Sequence, residues 1–119
     1  MKVNDLIGHY TIIGTNQDGS GNTYTGELFL TTNTNNTIAA KWLINNEQEQ
    51  FGEGYLEKNL LTIRFYYYGD HNTIFKGKVV YEIITKDIFE GKWVEESGNP
   101  MFFGTENCFR TKSNPVKPN

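Results

Sequence analysis

The chain has 119 residues, 37% of them hydrophobic and 21% charged, with a formal net charge of −3. That length holds one core, since a second would need roughly 50 or more residues of its own, and the composition excludes a disordered or fibrous polymer. The acidic balance excludes a nucleic-acid groove, and no apolar run approaches the ~18 residues of a membrane span.

Asn-, Asp- and Gly-rich clusters divide the chain at residues 16–22, 33–36, 45–47, 57–59, 69–72, 86–87 and 97–100. Such residues bond their own backbone or tolerate positive φ, so each cluster is a turn. Eight segments of about ten residues remain, the spacing of an all-β barrel or sandwich. The first opens with Gly8-His9-Tyr10, Tyr10 pointing inward and His9 outward. The second sends Tyr24, Gly26, Leu28 and Leu30 to one face, and the third carries Ile38, Ala40, Trp42 and Ile44 opposite Lys41. The fifth sets Leu61, Ile63, Phe65 and Tyr67 against Thr62, Arg64, Tyr66 and Tyr68. In the sixth, Phe75, Gly77, Val79, Tyr81 and Ile83 alternate with Lys76, Lys78, Val80 and Glu82. In the seventh, Phe89, Gly91 and Trp93 face in, with Glu90, Lys92 and Glu95 read as outward. Period two with charges on one side marks a half-buried strand. No window repeats apolar residues at helical spacing.

The eighth segment admits two phases. One turns Phe102, Gly104, Glu106, Cys108 and Arg110 inward, burying two charges that would need partners. The favoured one turns Phe103, Thr105, Asn107 and Phe109 inward and solvates both charges. An aromatic-x-Gly motif recurs at Tyr24–Gly26, Phe75–Gly77, Phe89–Gly91 and Phe102–Gly104. Glycine weakens a strand, so its recurrence points to a bend or a close approach. Short connections make neighbouring strands antiparallel, and a meander leaves two bare edges unless it closes. The expected fold is therefore all-β: a single closed antiparallel eight-stranded meander barrel over residues 1–112, followed by a disordered tail at 113–119.

Eight up-and-down strands opening with Gly8-His9-Tyr10 resemble the calycin group of small barrels, which includes avidins, fatty-acid-binding proteins and lipocalins. The resemblance spans about residues 7–111 and is architectural. Lipocalins usually open with Gly-x-Trp, where this chain has Tyr10. The avidin pattern of biotin-contacting residues finds no place on these strands, so biotin binding is not implied. The resemblance implies a barrel open at one end that holds a small molecule.

An eight-stranded barrel is wide enough to be filled by side chains or to hold one small ligand. Tyr10, Tyr24, Trp42, Tyr81 and Trp93 would line such a pocket, with Glu106 or Arg110 as polar anchor; a filled aromatic core is the alternative. Arg64, Tyr66 and Tyr68 share an outward face, and Phe29 and Leu43 also point outward. These residue types anchor interfaces, so a protein-interaction or inhibitor module, or a homo-oligomer, is the second reading. A third is a small barrel enzyme with Glu106 as acid/base, paired with Glu53 if both line a cavity, though nothing in the spacing places the two together. His9 and His71 make no zinc set, and Asp18-x-Ser20 and Asp70-x-Asn72 fall short of a calcium loop. No metal or other cofactor is expected, and Cys108 reads as a small hydrophobe. One cysteine excludes an internal disulfide, and Met1–Leu6 lacks an apolar signal core, so a cytoplasmic location is expected. The leading expectation is non-catalytic binding of a small, partly apolar ligand inside the barrel, with no nucleic-acid or membrane partner.

Overall fold

Each alternating stripe becomes a strand in the computed structural model, which describes residues 1–112; the expected disordered tail at 113–119 lies outside the described residues. In chain order the strands are β1 (Gly8–Thr15), β2 (Thr23–Thr32), β3 (Ile38–Ile44), β4 (Gln48–Glu57), β5 (Leu60–Tyr68), β6 (Ile74–Thr85), β7 (Ile88–Glu95) and β8 (Gly104–Arg110). Each pairs antiparallel with the next, and β8 returns to β1 to close the barrel. The expected fold class is the observed one. Turn chemistry sets the hairpins: Asn45 and Asn46 take φ of 51° and 65°, and Glu47 N donates to Ile44 O at 3.0 Å. Two successive positive φ values give the turn whose twist matches a twisted strand pair.

The inward faces form one core, including Ile12, Leu28, Ile38, Leu61, Ile63 and Val79, all 0–2% exposed. Three of the four recurring glycines, Gly77, Gly91 and Gly104, prove to be seats for aromatic rings, as does Gly14, whereas Gly26 lies against the backbone of Leu43 and Ile44. Register sets Tyr24 opposite Gly14, Phe65 opposite Gly77, Tyr81 opposite Gly91 and Trp93 opposite Gly104. A Cβ on Gly104 would lie 2.1 Å from the Trp93 ring, and one on Gly91 would lie 2.5 Å from that of Tyr81. A bulky ring on one strand thus folds over bare backbone on the next, which lets a narrow barrel hold many aromatics.

Two sequence expectations are corrected. A single helical turn, α1 (Val3–Leu6), and a 3-10 turn at Asp70–Asn72 stand where no helix was expected; neither is long enough to show periodicity. The favoured phase of the eighth strand is also reversed. Gly104, Glu106 and Cys108 are buried, whereas Phe103 and Phe109 are 51% and 42% exposed and Asn107 is exposed. Phe102 lies before the strand, over Gly19. The inward phase wins because Trp93 needs Gly104 beneath its ring, and because Glu106 meets donors that belong to other strands.

The two ends of the barrel differ. At one end α1 tucks fully buried Leu6 beneath the strands, where Leu6 O accepts a 2.7 Å hydrogen bond from Tyr10 Oη. Arg110 ties this end together: Nη1 donates to Ile7 O at 2.9 Å, Nη2 to Asp5 O at 2.7 Å and Lys86 O at 2.8 Å, and Nε to Asp87 Oδ1 at 2.8 Å. Its guanidinium also lies 4.8 Å over the Tyr10 ring. The opposite end, formed by loops 16–22, 45–47, 69–73 and 96–103, stays open. Gln17, 8% exposed, clips two of these loops: Oε1 accepts from Glu95 N at 2.7 Å and Nε2 donates to Asn99 O at 3.1 Å.

Candidate functional site

A cavity of about 270 Å³ enters the barrel from the open end. That is near the lower limit of ligand pockets, roughly 300–1,000 Å³. Its floor is Glu106, 5% exposed, which β8 turns inward. Tyr24 Oη from β2 donates to Oε1 at 2.7 Å, and Trp42 Nε1 from β3 donates to Oε2 at 3.0 Å. Tyr81 Oη from β6 donates to Oε2 as well, with Trp42 Nε1 3.1 Å from the same hydroxyl. One carboxyl group therefore joins four strands.

Burial raises the pKa of Glu106 above the ordinary carboxylate value, and the hydrogen bonds from Tyr81, Tyr24 and Trp42 pull it partly back. Burial first, and then the charge of Glu106, push the Tyr24 and Tyr81 phenols far up, so both remain donors. Burial likewise pushes up the thiol of Cys108, which is fully enclosed and holds its proton.

The walls are aromatic rings set edge to face. Trp42 and Phe65 lie 6.0 Å apart, Phe65 and Trp93 6.4 Å, and Trp93 and Tyr24 6.3 Å, at interplanar angles of 66°, 78° and 66°. Such pairs are favourable by about 0.5–1.5 kcal/mol each beyond their area burial. Trp93 Nε1 donates to Thr105 O at 3.2 Å, which fixes its ring. Asn16, Thr23, Asn45, Gln48, Gln50 and Glu95 bring polar groups to the lining, and Tyr67 donates its hydroxyl hydrogen bond to Glu95. Burial raises the Tyr67 pKa, and its bond to Glu95 raises it further.

Of the expected site residues, Tyr24, Trp42, Tyr81, Trp93 and Glu106 come together on this cavity. Tyr10 and Arg110 do not. Tyr10 sits at the closed end against Phe89, ring centroids 4.6 Å apart, with its pKa pushed up to about 12 by burial against the opposing charge of Arg110. All the hydrogen bonds of Arg110 go to the closed end. Glu95, expected outward, lines the cavity instead; it shares the parity of Trp93, which was the available signal. Glu53 is exposed on the outer wall, where Asn33 Nδ2 donates to it at 2.9 Å, so the two carboxylates of the acid/base pair never meet.

On the outside, Tyr66 and Tyr68 are 40% and 57% exposed and stand edge to face at 6.0 Å, with Phe51 5.8 Å from Tyr66 and exposed Arg64 on the same face. Phe29 is half-buried beneath the His9 ring, stacked at 4.4 Å, while His9 Nε2 lies 2.8 Å from Glu27 Oε1. Leu43 is half-buried beside Glu27 on the neighbouring strand. Among the described residues, no group of three His, Cys, Asp or Glu side chains is placed to hold a metal, and no helix is long and apolar enough to cross a membrane.

No protein-family model matches the chain, and no curated protein matches it. Solved structures do. A redesigned β-barrel, b11L5F_LGL, superposes with a TM-score of 0.75 at 15% identity, covering 92% of this chain and 95% of its own. The redesigned β-barrel mFAP1, bound to DFHBI, gives 0.71 at 17% identity over 91% and 97%. A further one, mFAP0, also bound to DFHBI, gives 0.68 at 16% over 89% and 99%. At these identities the likeness is one of fold: this closed eight-stranded chain is similar to β-barrels that have been redesigned, two of them bound to DFHBI.

Proposed function

We propose that the protein binds a small, partly apolar ligand in the open end of its barrel, without catalysing a reaction on it. The observation that carries this reading is the aromatic cavity above a buried, hydrogen-bonded carboxylate. The closed end is filled by buried Leu6, Tyr10 and Phe89, whereas the open end leaves this space between its side chains. Barrels of the same fold holding DFHBI make the reading compatible with the architecture. Against catalysis stands the environment of Glu106: its three donors orient it, but no nucleophile, second carboxylate or histidine stands within the same hydrogen-bond set. Native mass spectrometry of the protein as purified, repeated after denaturation, tests the reading. Extra mass carried only by the native species is the expected result; bare protein that also takes up none of a panel of small amphipathic compounds would sink it.

The second reading, an interaction surface or homo-oligomer contact, draws on exposed Tyr66 and Tyr68, with half-buried Phe51, beside Arg64. It uses the outer wall and is compatible with a ligand inside. Phe29 and Leu43, both partly covered, add less to such a face than their outward orientation suggests. The lone cysteine suits a reducing, cytoplasmic setting.

A further inference from the structure

Among the described residues, the cavity is lined by two carboxylates, Glu106 and Glu95, and by no lysine, arginine or histidine. The bias extends to the rim. The four open-end loops carry Asp18, Glu47, Asp70 and Glu96 with His71 and no lysine or arginine, although Lys92 of β7 reaches over the Phe103 ring there; the closed end is mixed, with Lys58, Lys86 and Arg110 beside Asp5, Glu57 and Asp87. A cleft with one sign of charge and apolar walls concentrates small ions of the other sign. The walls add to this, because Tyr24, Trp42, Phe65, Tyr67, Tyr81 and Trp93 present aromatic rings, which attract a cation through their negative faces.

The floor discriminates further. A carboxylate offers about four acceptor positions. Tyr24 occupies one on Oε1, and Trp42 and Tyr81 approach Oε2, so Oε1 keeps a position for one more donor. A charged N–H makes a shorter and stronger bond there than a neutral one. An anion would instead face two carboxylates in a site with no opposing charge.

Building on the ligand-binding reading, we propose that the occupant is a small organic cation, a protonated amine on an apolar or aromatic body. Its ammonium group lies toward Glu106 and its body against the rings. The cavity volume limits that body to about one aromatic ring with a short arm.

Three probes of nearly equal shape test the charge preference: phenethylamine, phenethyl alcohol and phenylacetate, titrated into the full chain with tryptophan fluorescence and calorimetry as readouts. The amine should bind at least about tenfold more tightly than the alcohol, and phenylacetate most weakly. Glu106→Gln should bring the amine-to-alcohol ratio close to one. Glu95→Gln, which leaves the floor hydrogen bonds in place, should narrow it by a smaller factor and keeps the test open where the floor variant fails to fold. Alcohol or phenylacetate binding as tightly as the amine overturns the cation proposal while leaving the cavity a ligand site. No binding of any probe at millimolar concentration overturns it too, and a bare native mass spectrum alongside takes the ligand-binding reading down with it.

Discussion

Glu106 is a carboxyl group whose hydration has been replaced by two phenols and an indole from three other strands. In this setting it holds its proton to higher pH than in the unfolded chain. Between the ordinary value of 4.5 and the raised folded value, the folded chain therefore binds more protons than the unfolded one, and stability falls as pH rises. The contribution is complete below the ordinary value and is lost as pH climbs through the folded one. Acidification from neutrality should thus stabilise the native protein relative to Glu106→Gln, which lacks this titration. Thermal midpoints of both proteins over a pH series check the linkage; parallel curves would show that the carboxyl titrates as it does in water. A cationic occupant acts in the opposite sense, favouring the ionised carboxylate and lowering its pKa.

At the scale of the strand, the pairing of a ring with a glycine is what three of the four aromatic-x-Gly motifs encode, those ending in Gly77, Gly91 and Gly104. Gly104→Ala forces the Trp93 ring off its seat and off Thr105 O, and should cost about 1–3 kcal/mol, the usual range for overpacking. Denaturant midpoints measure the loss, and a change in the near-ultraviolet circular dichroism of the tryptophans should accompany it; an unchanged midpoint would mean the seat is not tight. Alternation made most strands legible, because inside and outside follow directly from period two. The eighth strand resisted this reading because a buried Glu106 looks prohibitive until Tyr24, Trp42 and Tyr81 are known to reach it, and those contacts span 82, 64 and 25 residues of chain. Depth along the barrel was illegible for a related reason. Tyr10 and Trp42 both read as inward, yet one is sealed at the closed end and the other lines the cavity. Strand stagger, not residue type, sets that height. Glu95 was legible in its parity with Trp93 and was masked by its charge.

For the molecule as a whole, the inner cavity and the outer aromatic face are separate devices on one wall. β5 supplies both: Phe65 and Tyr67 inward, Arg64, Tyr66 and Tyr68 outward. On the interface reading, a double substitution, Tyr66→Ser with Tyr68→Ser, should shift the oligomeric state read by sedimentation while leaving probe affinity within about twofold, since contacts on opposite faces of a strand are largely independent. An unchanged sedimentation profile would argue against an assembly role for that face.

The Arg110 clasp has a consequence for traffic. With α1 and four guanidinium hydrogen bonds closing one end, the barrel is a cup and not a tube. Whatever enters must leave by the same doorway, past the loops that Gln17 holds together. A ligand of the proposed size would fill the cavity, so a second could not pass it and exchange would require the cup to empty first. A long tail on any guest must trail out between those loops into water.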